Sequence, residues 1–310
     1  MILWRDFFRF SRKGAWEPVG VLKYLWRVNM KSSYSISKLI LALYISVIII
    51  GGFAQEQSAE EFTPEIGQPG KDVVWVPTPQ ALVDKMLDMA DVTPEDYLID
   101  LGSGDGRIVI SAAKRGVKGH GIEYNPDMVE LSKRNAAEEG VSDKAKFLEA
   151  DLFESDLSQA TVITMFLLQE LNMELRPKIL NLKPGTRIVS NSFDMGEWVA
   201  DKIATAEEDC RHYCTAYFWV VPAKVEGTWK MPQGELTLDQ TFQKITGLLR
   251  SGDEIIPVRG RLTGNDIIFA AEDRLYAGRV NGNSMEGDIK GVSNSKWSAT
   301  RLNSSSLRER

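Results

Sequence analysis

A chain of 310 residues is long enough for one large domain and a smaller one, and 43% apolar with 26% charged side chains is an ordinary globular composition. The net charge of −6 conceals an asymmetry: residues 1–54 carry eight Lys/Arg against two acids, which leaves 29 basic and 41 acidic side chains in the rest. A body that acidic is a poor non-specific binder of nucleic acid and suits a cationic or neutral partner better.

In chain order, residues 1–29 resemble neither a targeting signal nor a domain and read as an upstream extension, with Met30 rather than Met1 as the functional start. From Met30 come Lys31 and Lys38, an uncharged apolar run Leu39–Ala54, and the small-x-small end Gly52-Phe53-Ala54. That layout predicts a secretory signal peptide over 30–54, cut after Ala54, or an uncleaved membrane anchor. The run is short of the ~20 apolar residues of a spanning helix. The positive flank stays cytoplasmic, so the body of the chain is expected in the periplasm or cell envelope, a cytoplasmic orientation being the alternative. Residues 55–72 form a polar Glu/Pro/Gly linker.

Val73–Pro79, "VVWVPTP", reads as extended, because each proline biases its predecessor away from helix. Apolar spacing predicts helices over 81–90, 106–114, 127–139 and 171–182. Strands are predicted over 97–101, up to 123, and over 146–150, 160–166, 187–192 and 213–221. Alternation of strand and helix predicts an α/β domain over 73–222, a Rossmann-like parallel sheet with helices on both faces and late antiparallel strands at one edge. Cys210 and Cys214, if in a strand, stand roughly 13 Å apart. A bridge needs Cα atoms within about 7 Å, so two buried thiols are expected. The aromatic run "HYCTAYFWVV" reads as core, Trp75 as packing, and His120 as a cap on the second strand. Residues 223–301 carry Ser-Gly-Asp, Gly-Asn-Asp and Asn-Gly-Asn turns, the chemistry of hairpins, and predict a small antiparallel sheet or barrel. Residues 302–310 read as a disordered tail.

The chemistry concentrates at "LIDLGSGDGRIVIS" (98–111). A buried strand ends in Asp100, and Gly102, Gly104 and Gly106 precede a helix. Glycines at such a turn allow positive φ and let a ligand approach the main chain. A phosphate-binding P-loop requires Gly-Lys-Ser/Thr, which is missing here. The dinucleotide motif G-x-G-x-x-G differs too, since the third glycine comes one residue early. An acid ahead of the first glycine repels a pyrophosphate and favours a cation. Glu123 closes the second strand about twenty residues on, where such folds grip both ribose hydroxyls. Asp151 comes after the third strand, within reach of an adenine amine. A cationic nucleoside without phosphate, held by acids on neighbouring strand ends, is S-adenosylmethionine.

These residues resemble the class I S-adenosylmethionine-dependent methyltransferases. "WVPTP…DLGSGDGRIVISAAKRG…GIEYNP…DLF" is similar, more narrowly, to the family of ATP synthase c-subunit lysine methyltransferases and their bacterial relatives. The match covers roughly 73–222. It implies that Asp100, Gly102, Gly104 and Gly106 line the methionine end of the co-substrate, Glu123 the ribose and Asp151 the adenine. Tyr124 and Leu152 adjoin those acids, and Val76–Pro79 with Thr78 forms a lid. It also implies a protein lysine as methyl acceptor. Where relatives often have proline after the fourth strand, this chain has Leu168-Gln169-Glu170-Leu171-Asn172.

After the fourth strand there is neither the Asn/Asp-Pro-Pro-Tyr of the adenine and glutamine amino-methylating enzymes nor the Pro-Cys of the cytosine C5 enzymes. With two histidines in the chain, neither a metal cluster nor a histidine-based triad is expected. Glu170 and Asn172, by position, are the candidate acceptor-side residues. Alternatives are methylation of a small molecule or lipid headgroup, and a non-catalytic envelope module on a relic fold.

Overall fold

The computed structural model describes residues 8–10, 16–18, 62–290 and 295–302. It divides into two compact units, Met1–Glu61 and Phe62–Arg310. In the first, β1 (Phe8–Phe10) and β2 (Trp16–Pro18) pair antiparallel. The predicted signal over 30–54 lies outside the described residues, as does the tail beyond 302. Among the described residues no helix is long and apolar enough to cross a membrane.

The second unit opens on α1 (Gln80–Met89), whose Leu82, Val83, Met86 and Leu87 form one buried face. The alternating part comes next: β3 (Tyr97–Leu101), α2 (Arg107–Lys114), β4 (Lys118–Glu123), α3 (Pro126–Glu138), β5 (Ala145–Glu149), β6 (Val162–Met165), α4 (Gln169–Ile179) and β7 (Arg187–Asn191). Then come β8 (Lys202–Thr205) and β9 (Thr215–Val220). The seven strands order as β5-β4-β3-β6-β7-β9-β8, parallel except for β9, which runs antiparallel to both its neighbours. The order reverses between β3 and β6, and open α/β sheets bind ligands at the carboxyl ends of such a pair. Burial explains the strand pattern: β3 and β6 are covered on both faces and are almost wholly apolar. Helix α3 starts where Asn125 Oδ1 accepts from the Asp127 and Met128 amides (2.9 and 3.4 Å), with Pro126 in the first turn. His120 is an interior residue of β4, not its cap; it is buried, 3.0 Å from the Tyr97 hydroxyl, and burial lowers its pKa.

Residues 227–301 close into an eight-stranded antiparallel barrel, β10 (Gly227–Met231), β11 (Gly234–Thr241), β12 (Lys244–Ser251), β13 (Glu254–Thr263), β14 (Asp266–Ala271), β15 (Arg274–Asn281), β16 (Ser284–Lys290) and β17 (Ser295–Arg301). Ladder pairs Trp229↔Arg301 and Lys230↔Thr300 join the first strand to the last. Five of the two-residue turns begin at positive φ: Phe242, Gly252, Gly264, Glu272 and Gly282. The interior is filled by side chains, with Phe269 stacked on Tyr276 (4.6 Å) and Trp297 edge-on to both.

The barrel docks through two hairpin tips: at Gly264 a Cβ would stand 3.0 Å from Gly185 Cα, and the other tip is Phe242 and Gln243. Phe242 stacks on Trp198 (6.0 Å, 14°) beneath Arg176 (5.2 Å), while Gln243 donates to the Val199 carbonyl (2.7 Å). Arg261 pairs with Asp201 at 2.7 Å.

One cysteine expectation is overturned. Cys210 and Cys214 are disulfide-bonded, with Cα atoms 5.8 Å apart. The reason is that β9 starts only at Thr215; the chain before it bends, with Asp209 and Tyr213 at φ +53 and +57, so the extended separation does not apply.

Candidate active site

Strand β3 delivers Asp100 into the interior, and the chain then turns through Gly102, Gly104 and Gly106 at φ +73, +54 and +83. The Gly102 and Ser103 amides donate to the Ile122 carbonyl (2.9 and 3.1 Å), which curls the elbow onto β4. A Cβ on Gly104 would stand 2.7 Å from Trp75 Nε1, and one on Gly106 2.7 Å from the Phe147 ring. Side chains are excluded there twice over, by conformation and by space.

Glu123 is fixed by the elbow it serves: its Oε2 accepts from the Gly104 amide and its Oε1 from the Asn125 amide, both at 3.0 Å. Asp100 is almost fully buried and takes one hydrogen bond, from Thr164 Oγ1 at 2.7 Å. Burial pushes its pKa up to about 7, the Thr164 hydroxyl opposes, and the charges of Glu123 and Asp105 add to the rise. The floor of the site is thus short of positive charge.

The segment 67–78 folds over this floor. Trp75 is tied back to the start of the segment by two main-chain hydrogen bonds, its carbonyl accepting from the Gly67 amide (2.8 Å) and its amide donating to the Gln68 carbonyl (2.9 Å). Arg107, braced by Asp105, donates to the Thr78 carbonyl at 2.8 Å, and Asn191 Nδ2 donates to Thr78 Oγ1 at 3.2 Å. Lys71 reaches Asp151 Oδ2 at 2.6 Å and lies 4.9 Å over the Tyr124 ring. That ammonium, with the Phe153 amide, holds the Asp151 carboxyl below its ordinary range. Residues 68–78, Arg107, Glu123, Tyr124 and Asp151 line a pocket of about 390 Å³ at the β3/β6 switch point, with Asn191 behind Thr78.

Thr78, Asp100, Gly102, Gly104, Glu123, Tyr124, Asp151 and Leu152 all line the pocket; Gly106 supports the elbow from behind. Glu170 and Asn172 do not line it. Glu170 is exposed on α4, and the buried Asn172 turns inward, its Nδ2 reaching Ser190 Oγ and the Phe193 and Asp194 carbonyls (3.1–3.2 Å). Helical phase carries both past the mouth, and Asn172 braces a loop instead. Gln68–Asp72, expected as linker, are pocket residues. Sequence reasoning also missed Arg107, Asn191, Phe166, Phe193 and Tyr213. The first two occupy signalled places, a helix start after the glycines and the end of a central strand. Nothing in the sequence marks Lys71 or Tyr213.

The chain matches the model of the ANTKMT methyltransferase domain over residues 100–202. A protein-lysine N-methyltransferase of Saccharolobus islandicus (strain REY15A) is 40% identical over 152 residues, which cover 48% of this chain and 94% of the relative. This chain belongs to that methyltransferase family. The ATP synthase c-subunit lysine N-methyltransferase of Homo sapiens is 37% identical over 107 residues, 34% of this chain and 46% of that relative, so the match spans about half of the human protein. A solved structure described as an RNA methyltransferase from Salinibacter ruber, in complex with S-adenosyl-L-homocysteine, is 49% identical with TM-score 0.45. It covers 48% of this chain and 96% of that one.

The methyltransferase fits its co-substrate on its own geometry. Asp100, with Thr164 as its hydrogen-bond donor beneath a bare glycine elbow, would suit a sulfonium amino acid, Glu123 has lone pairs left for hydroxyls, and Asp151 also lines the pocket. When bound, S-adenosylmethionine supplies the methyl group. The protein's part is to orient, to exclude water under the lid, and to hold the acceptor in line.

Proposed function

We propose that this methyltransferase N-methylates a lysine of a protein. The observation that carries the reading is the 40% identity to a protein-lysine N-methyltransferase across 94% of that relative, the stretch that here builds the elbow and the acids. The acceptor end supports it: Phe166, Leu167, Leu168, Leu171 and Phe193 offer an apolar passage suited to a long aliphatic chain. A deprotonated ε-amine attacks the methyl carbon, the carbon–sulfur bond breaks with its pair going to sulfur, and the methylammonium loses a proton to water. Desolvation in an apolar passage helps the amine shed its own proton first. The acidic body disfavours RNA as acceptor.

Incubation with methyl-tritiated S-adenosylmethionine and an extract from cells lacking the enzyme tests this. Protease-sensitive label that maps to Nε of lysine is expected; label removed by ribonuclease, or found only in lipid or small molecules, overturns it.

We further infer that the catalytic body works outside the cytoplasm. The signal-like stretch 30–54 supports this, as does the Cys210–Cys214 bridge, since disulfides persist mainly in oxidising compartments. A reporter joined after residue 60 should be active only in the exported form; cytoplasmic activity alone refutes export.

A further inference from the structure

The acceptor end of the pocket is walled by three aromatic rings that the acid-and-glycine machinery does not use. Phe166 comes directly after β6, Phe193 just after β7, and Tyr213 just before β9, so the rings come from three strands that are neighbours in the sheet. Phe166 lies 5.2 Å from Tyr213 and 6.2 Å from Phe193, centroid to centroid. We propose that these rings form a collar for an aliphatic ammonium chain, with Tyr213 as its specificity-determining wall and the Cys210–Cys214 bridge as the device that holds Tyr213 in place. This deepens the lysine reading and rests on it for the identity of the acceptor.

Two kinds of observation meet here. The first is electrostatic. The face of an aromatic ring attracts an ammonium or methylammonium group, and it does so most when water is excluded. Leu167, Leu168 and Leu171 beside the rings suit the methylene stem. Tyr213 is 45% exposed, so this wall stands at the mouth, where a chain from another molecule must enter.

The second is conformational. Tyr213 has φ +57, Asp209 φ +53, and Ser192, immediately before Phe193, φ +60. Each is a left-handed conformation that is unfavourable for a non-glycine residue and is kept only when its surroundings enforce it. The Ser192 amide is tied to the Thr215 carbonyl at 2.7 Å, which locks the Phe193 turn to the start of β9. The bridge joins cysteines four positions apart and closes a hoop around Arg211, His212 and Tyr213. An intact hoop enforces the Tyr213 turn; an open one releases it.

The test uses the full chain loaded with S-adenosyl-L-homocysteine and two probes of one shape, choline and its uncharged isostere 3,3-dimethylbutan-1-ol, with binding read by ligand-detected NMR. The wild type should prefer choline by about fivefold or more. Y213A should lose the preference and Y213F keep it. C210S/C214S should weaken it, and affinity for S-adenosyl-L-homocysteine, measured by calorimetry, should stay unchanged in all three as evidence of folding. Equal binding of both probes by the wild type, or a preference that survives in Y213A, overturns the collar. A preference that survives undiminished in C210S/C214S overturns the role of the bridge. A Tyr213-dependent preference in an enzyme that labels no protein lysine supports the collar and removes the lysine reading alone.

Discussion

Asp100 shows how a single residue can be unfavourable for the fold and needed for the chemistry. Its carboxyl has a pKa of about 7 in the folded protein against 3.8 ordinarily. Between those values the folded chain holds a proton that the unfolded chain has released, so stability falls as pH rises from about 4 to 7, and the loss is complete above that range. D100N removes the ionisable group. The cofactor-free variant should melt at a higher temperature than wild type at pH 8, with the difference vanishing near pH 4, while binding of S-adenosylmethionine is lost. In the wild type, affinity for the sulfonium form should rise with pH through about 7, and affinity for S-adenosyl-L-homocysteine, whose thioether carries no charge, should change less; calorimetry across pH 5.5–8.5 checks this. Lys71 makes the opposite kind of contribution. Its ammonium sits on the acid expected to meet adenine, so K71A should leave stability almost unchanged, as for any exposed ion pair, and should strengthen S-adenosyl-L-homocysteine binding by about two- to threefold. Weaker binding in K71A would mean that Lys71 helps to hold the nucleoside.

At the scale of elements, the strand–elbow–helix unit from β3 to α2 is built around positions where a Cβ cannot exist. G104A combines φ +54 with a contact 2.7 Å from the Trp75 indole. It should displace the lid and reduce S-adenosyl-L-homocysteine affinity at least tenfold, a loss of about 1.4 kcal/mol of binding. Its fold should survive, because the clash lies in the lid, clear of the sheet. The same unit was the most legible part of the sequence, since glycines, the terminal acids Asp100 and Glu123, and the apolar strand between them answer local main-chain requirements. Helix α4 was legible as a helix, whereas the direction of Asn172 was not. A one-residue change in phase turns a side chain by about 100°, and only the packing of α4 on β7 sets that phase.

For the whole molecule, the tip at Phe242 and Gln243 is one of two hairpin tips that join the barrel to the methyltransferase fold, the other being at Gly264. Phe242 has the left-handed φ of +56 that its two-residue hairpin turn requires, and its ring lies against Trp198 and Arg176. F242A should lose about 2 kcal/mol, less than the ~3–5 of a fully buried aromatic because Phe242 is half-buried, and should split a single thermal transition into two in calorimetry. One cooperative transition in F242A would show that Gln243, Arg261 and the Gly264 tip suffice for coupling. The sequence alone determined the helices and six of the seven strands of the mixed sheet, though not β8 (Lys202–Thr205), as well as the hairpin chemistry of 223–301 and the acid-and-glycine set that selects a cationic nucleoside. These are written in neighbouring residues, by period, turn chemistry and main-chain sterics. Tertiary structure alone decided closure of the barrel, the bridge between Cys210 and Cys214, the reach of Lys71 across eighty positions to Asp151, and the meeting of Phe166, Phe193 and Tyr213. Each of these joins residues whose proximity depends on strand order and on how far a loop bends, and a one-dimensional pattern encodes neither.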